Sequence, residues 1–253
     1  MNADDPIARL SSTPLPADRV GLLEGLTSTR AIRRYRDEPV PADVLRAVLF
    51  AATRAPSGSN RQPFRFVVLR DGPKAQAAKA LIGAGARRAW GHKQHTDGYA
   101  QGSGARPDSP KARMARTMQG YVDAFERSPV LVLPCLVRYR EAAATEGASV
   151  YPAYQNLLLA ARALGYGGVL TGWHATVEAE LHDLLGIPPE VFIAATITLG
   201  RPVGGHGAVR RRPLGELVYE DEWAQPAAWA VDPPGTGFTA AGPPTAPGPP
   251  ACD

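Results

Sequence analysis

Apolar positions in this chain change their period several times, and each change marks an element. Val44, Leu45, Val48, Leu49 and Ala52 recur three and four residues apart after Pro41, which predicts an amphipathic helix over 42–54. Phe66-Val67-Val68-Leu69 then runs without a polar break and predicts a strand over 64–70. Val20, Leu22, Leu23 and Leu26 predict a short helix at 18–28. After the turn Asp71-Gly72-Pro73, residues 74–89 are alanine-rich and helical. Gly91, Gly98, Gly102, Gly104, Pro107 and Pro110 interrupt the next stretch, so 91–110 reads as a long loop, the kind that serves as a lid. Helix returns at 111–127.

The run Val130 to Val137 predicts a strand, which Pro134 marks as an edge or a bulge. Residues 149–164 form the most apolar helix, expected to be buried on most sides, in the core or at a subunit interface. Gly165 is its natural C-terminal stop. A short strand over 167–173 follows, then a helix over 177–185 with Thr176 as N-cap and Gly186 and Pro188 as terminators. Val191 to Leu199 completes the strands. The expected organisation is a flexible arm at 1–17, a domain at 18–223 and a Pro/Gly-rich tail at 224–253. Trp223 and Trp229 are its last large anchors.

Composition narrows the class. A chain of 253 residues can bury a sizeable core. The net charge of +4 is mild, and the arginines fall in separate groups at 30–36, 87–88, 113–116 and 210–212. A nucleic-acid binder would cluster them on one face with aromatics interleaved, so local anion sites and solvated surface are the better reading. No apolar run approaches the ~20 residues of a membrane span, and residues 1–18 hold no signal-peptide core. The expectation is a cytoplasmic protein with no nucleic-acid or membrane partner. Cys135 and Cys252 have neither zinc nor disulfide spacing, and Cys135 reads as a buried thiol. His92 and His95 lack a third ligand nearby, so no metal is expected.

The candidate chemistry begins in the loop Ala55 to Phe66. Pro56 ends the preceding helix, and Ser57, Gly58 and Ser59 let backbone approach a ligand. Asn60 and Gln62 each offer a donor and an acceptor, as the edge of a flat heteroatom-rich ring requires. The same residues are also ordinary turn formers. Gly165-Tyr166-Gly167-Gly168 follows a helix and opens a strand, the reverse of a dinucleotide loop, so a Rossmann reading fails. Arg30, Arg33, Arg210 and Arg212 carry planar forks that match phosphate, although a solvated basic surface is the common fate of such runs. No Ser-His-Asp set or acid pair stands out, which fits chemistry carried by a cofactor.

Three stretches together resemble the nitroreductase family of flavin enzymes, over roughly residues 21–223. They are Thr29-Arg30-Ala31-Ile32-Arg33-Arg34-Tyr35 with Asp37-Glu38-Pro39-Val40-Pro41, the 55–66 loop, and Leu199-Gly200-Arg201-Pro202 with Arg210-Arg211-Arg212-Pro213-Leu214. Ala31 departs from the family's usual serine. The resemblance implies an α+β fold with a central, mainly antiparallel sheet flanked by helices. It implies a homodimer with two FMN sites at the interface, each built from both chains, and a C-terminal arm exchanged onto the partner. In that frame the phosphate lies at Arg30, Ala31, Arg210 and Arg212, and Arg33 approaches the pyrimidine end of the flavin. Pro56, Ser57, Gly58, Asn60, Gln62, Leu170, Thr171 and Gly172 meet the ring. The implied activity takes hydride from NADH or NADPH and passes it to a small-molecule acceptor, a nitroaromatic or quinone, in alternation, with no protein side chain itself catalytic. Dehydrogenases, dehalogenases and flavin-fragmenting enzymes of the same fold stay open, as does a flavin-storage protein.

Overall fold

The computed structural model describes residues 13–239. They fall into two compact units that divide between His206 and Gly207. Among the described residues the first unit contains all the strands and long helices. In chain order these are α1 (Leu22–Ser28), α2 (Ala42–Ala52), β1 (Phe64–Leu69), α3 (Pro73–Thr96), α4 (Pro110–Asp123), β2 (Val130–Val137), α5 (Tyr151–Ala163), β3 (Gly167–Thr171), α6 (Glu178–Leu185), β4 (Val191–Ile193) and β5 (Thr196–Gly200).

The strands form one sheet in the order β1-β2-β5-β3, with β4 also paired to β2. Every pairing is antiparallel. Alternation along β2 sends side chains to both faces. Val130, Val132 and Leu136 pack with α2 and α5 residues such as Val48 and Leu157. Leu131, Leu133 and Cys135 pack with Ile82 of α3 and Leu181 of α6. Helices therefore cover both sides of an antiparallel sheet. The α+β architecture expected from the sequence is the one observed.

Several local expectations need correction. β2 is an interior strand and not an edge, and of the two readings of Pro134 the bulge is the one observed: the register shifts by one residue between the β4 and β5 pairings. The predicted strand over 191–199 is broken at Ala194 and Ala195 into β4 and β5, and Pro134 faces that break. Its carbonyl accepts Ala194 N–H at 2.9 Å, so its hydrogen-free nitrogen points to the one place where no ladder bond is needed. α3 runs on to Thr96, which converts the first part of the predicted 91–110 loop to helix. Buried Trp90 anchors this extra length, donating Nε1–H to Gln119 of α4 at 3.0 Å and meeting Tyr99 edge-on. Gly98 and Gly102 take positive φ in the shorter loop that remains. Thr176 caps nothing: residues Trp173–Val177 form a 3-10 turn, and its hydroxyl donates to Trp173 O. Gly165 and Gly186 do end their helices, both at positive φ. α5 buries only the stripe Ala153, Tyr154, Leu157 and Ala161, leaving its other side partly exposed.

Among its described residues the second unit, from Gly207, has one 3-10 turn at Leu214–Glu216 and isolated bridges joining Arg211 to Phe238 and Tyr219 to Pro226. Trp223 and Trp229 are 89% and 64% exposed in the single chain. Cys252 and the end of the tail lie outside the described residues.

Buried His174 sets an acid limit to stability. Its Nδ1 is 3.2 Å from Thr196 Oγ1, and burial holds its pKa below the ordinary 6.5, opposed by Glu178 and the Ile193 backbone. The unfolded chain therefore takes up a proton before the folded one does. Stability from this group is complete above pH 6.5 and is lost as pH falls below it. Thermal melts should show a steeper loss of Tm below that pH in wild type than in His174→Gln. Equal slopes would rule the contribution out.

Candidate functional site

The basic segment at 30–36 is extended because it is stitched along the sheet on the β3 side. Ile32 N–H donates to Gly168 O at 3.0 Å, Arg36 N–H to Arg201 O at 2.8 Å, and Val203 N–H to Arg34 O at 3.1 Å. Close approach requires glycine beneath it. A Cβ at Gly167 would sit 2.5 Å from Ile32 Cγ1, and one at Gly200 would sit 2.8 Å from the Tyr35 ring.

A hydroxyl chain fixes the segment from below. Tyr35 O–H donates to Ile32 O at 2.6 Å. Its oxygen then accepts from Thr198 Oγ1 at 2.8 Å, which in turn accepts from Tyr121 O–H at 2.7 Å. Burial raises the pKa of both phenols, with the nearby Arg33 cation a smaller opposing influence, so the chain stays protonated. His206 closes the upstream end. Arg30 N–H donates to its Nδ1 at 3.5 Å, and its Nε2 lies 3.0 Å from Tyr166 O, which assigns the neutral Nε2–H form. Burial also lowers its pKa.

Above this backbone opens a cleft of about 370 Å³ lined by Arg30, Ala31, Ile32, Arg33 and Arg34, by Pro110, Arg113, Met114 and Thr117 of α4 and its start, and by Pro202, Gly204 and Gly205. Arg33 Nε is buried without a hydrogen-bond partner. Arg33 lines the cationic cleft, and its unpartnered Nε–H is a donor that a bound anion or a carbonyl edge would satisfy. The early arginines of the sequence reading thus meet in one place. Arg34 and Arg113 figured only within arginine groups read as local anion sites and solvated surface, and His206 was not singled out. α4 carries no sequence signal for its position, and His206 sits in the glycine-rich stretch Gly204-Gly205-His206-Gly207, which carries none either.

The amide loop is a separate structure. Ser59, Asn60 and Gln62 all have φ near +50° (52°, 51° and 50°), which is costly for residues with side chains and is typical of functional loops. Gln62 N–H donates to Ser57 Oγ at 2.9 Å, Gly58 N–H to Ser149 Oγ at 3.1 Å, and Gln62 Nε2 to Asn60 Oδ1 at 3.2 Å. The strain is thereby locked in while both amides stay exposed. Neither this loop nor Leu170, Thr171 and Gly172 lines the basic cleft of the same chain. Leu170 is 43% exposed on the edge strand β3, and Gly172 faces open space. Arg210 and Arg212 belong to the second unit. Arg212 holds Glu216 at 2.8 Å, and Arg210 packs beside Gly237. Among the described residues no three His, Cys, Asp or Glu side chains converge as a metal site, and no helix is long and apolar enough to cross a membrane.

Residues 26–201 match the model of the nitroreductase family. The chain belongs to this family. Its relatives include a provisionally named NADH dehydrogenase/NAD(P)H nitroreductase of Archaeoglobus fulgidus, 28% identical over 71% of this chain and 84% of that one. The 5,6-dimethylbenzimidazole synthase of Rhodospirillum rubrum is 27% identical over 79% of this chain and 90% of its own length. A crystal structure of a provisionally named nitroreductase from Desulfovibrio desulfuricans, in complex with FMN, aligns with 81% of this chain and 99% of its own. Its TM-score is 0.57 and its identity 28%. Membership in the nitroreductase family and the FMN-bound relative support an FMN-type oxidoreductase.

Proposed function

We propose that this nitroreductase-family chain is a homodimeric, FMN-dependent oxidoreductase that takes electrons from NADH or NADPH and delivers them to a nitroaromatic, quinone or related acceptor. The observation that carries the reading is the basic cleft. It is rich in guanidinium, has no carboxylate in its lining, and is lined by Arg33, whose buried Nε–H has no hydrogen-bond partner. In this reading Arg30 and the backbone at Ala31 hold the FMN phosphate, replacing the serine hydroxyl that the family usually supplies. Arg33 stands at the pyrimidine end. A fixed cation there stabilises negative charge as the ring is reduced, by the same logic as an oxyanion hole. The hydroxyl chain Tyr121–Thr198–Tyr35 keeps Arg33 in place by pinning the carbonyl just before it. Bound FMN supplies two-electron transfer between the nicotinamide and the acceptor.

The strained loop needs a second copy. Pro56, Ser57, Gly58, Asn60 and Gln62 present exposed polar groups that do not reach the basic cleft of their own chain. A partner chain supplying them completes the ring site, with Leu170, Thr171 and Gly172 on the facing edge. Leu22 and Leu23 of α1 are 71% and 76% exposed, apolar area that a partner chain would cover. A shared site calls for an obligate interface, above ~2,000 Å² and largely apolar. In size-exclusion chromatography with light scattering, flavin absorbance should travel with the mass of a dimer. A flavin-loaded, active monomer would contradict the shared site.

A further inference from the structure

The basic cleft carries more fixed cations than an FMN phosphate uses. Arg30, Arg33, Arg34 and Arg113 all line it, and no aspartate or glutamate does. None of these four guanidiniums forms an ion pair among the described residues. Arg87, Arg138, Arg162 and Arg201 of the same unit each hold a glutamate. A phosphate monoester brings about −1.5 to −2 charges at neutral pH. With Arg30 on that phosphate and Arg33 at the ring, Arg34 and Arg113 remain without a counter-charge. Both rise from fixed backbone. Arg34 O is held by Val203 N–H at 3.1 Å. Arg113 sits in the first turn of α4, whose start is capped by Ser109 Oγ accepting Ala112 N–H at 3.0 Å, and its guanidinium is steered by Asp108 O.

We propose that Arg34 and Arg113 form an anion-recognition subsite for the molecule that reacts with the bound flavin, so that this partner carries a phosphate or carboxylate group. The proposal rests on the FMN reading above. Arginine's fork recognises either oxyanion through paired charge-assisted hydrogen bonds. Two sources could bring that anion: the 2′-phosphate of NADPH, over and above the pyrophosphate it shares with NADH, or an acidic substituent on the acceptor.

Two matched pairs separate the sources. FMN-loaded wild type, Arg34→Ala, Arg113→Ala and Arg113→Lys would be assayed with NADPH against NADH, and with p-nitrobenzoate against p-nitrobenzyl alcohol. Dissociation constants for NADP+, NAD+ and p-nitrobenzoate would be read from perturbation of the flavin spectrum, independently of turnover. Wild type should prefer the anionic member of one pair. That preference should fall about ten-fold or more in either alanine variant, in KM and in the dissociation constant, and recover partly in Arg113→Lys. The pair that responds identifies the source. No preference in either pair, or one that survives both alanine variants, would overturn the subsite. So would a loss of FMN but not riboflavin affinity in Arg113→Ala, which would put Arg113 on the cofactor phosphate. A wild type that takes up no FMN would sink the functional reading as well, whereas FMN uptake without charge preference removes this proposal alone.

Discussion

Arg30→Ala should lose FMN affinity about ten- to hundred-fold while its riboflavin affinity barely changes. Arg30 lines the basic cleft with no carboxylate beside it. A charge-assisted bond to a phosphate dianion is worth roughly 1.5–3 kcal/mol, which sets that range. Riboflavin has the same ring and no phosphate, so the loss must be selective. Asn60→Ala supplies the control, because losing a ring contact should weaken both flavins together. Titration of both ligands into the apo proteins measures this directly. Equal losses of FMN and riboflavin in Arg30→Ala would move the phosphate to another part of the site. A change below ~0.5 kcal/mol would make Arg30 an ordinary surface residue.

Lys79→Met should destabilise the fold by about 2–4 kcal/mol. Lys79 of α3 is 2% exposed, and its Nζ donates to Arg70 O at 2.7 Å and to Ser128 O at 2.8 Å. These carbonyls lie just past the end of β1 and just before β2. One ammonium therefore ties a helix to two neighbouring strands. Methionine fills similar space but leaves both carbonyls without a donor. Relief of the buried charge offsets part of the loss. Burial lowers the Lys79 pKa, against a smaller opposing pull from Asp71. The desolvation cost is thus fully present below the depressed pKa and relieved as pH rises toward the ordinary 10.5. The gap between wild type and Lys79→Met should widen over that alkaline range. Chemical denaturation across pH reads both effects, and a variant as stable as wild type would refute the role.

What the sequence made legible depended on how local each signal was. The 55–66 loop was recognisable because its proline, glycine and amides act within a few residues. Its three positive φ angles were not, because they are held by Ser57 and by the distant Ser149. The roles of Arg30 and Arg33 came from the family resemblance, since residues three apart in an extended segment point to opposite sides and their spacing alone does not bring them together. Arg113 was not, since only packing of α4 brings it to the same cleft. Pro134 was read as marking an edge or a bulge, and the second holds: the register shifts by one residue there, opposite a break at Ala194 that lies about 60 residues away in sequence and is invisible to local rules. Residues 91–96 were misjudged because Trp90 gains enough from burial against α4 to carry Gly91 inside a helix. Local chemistry was readable. Long-range compensation was not.

Anaerobic mixing of the FMN-loaded dimer with NADH or NADPH tests the central claim most directly. Flavin absorbance should bleach rapidly with at least one nucleotide and return when a nitroaromatic or quinone is added. A protein that cannot be loaded with FMN, or one whose bound FMN stays oxidised in the presence of both nucleotides, would contradict the assignment.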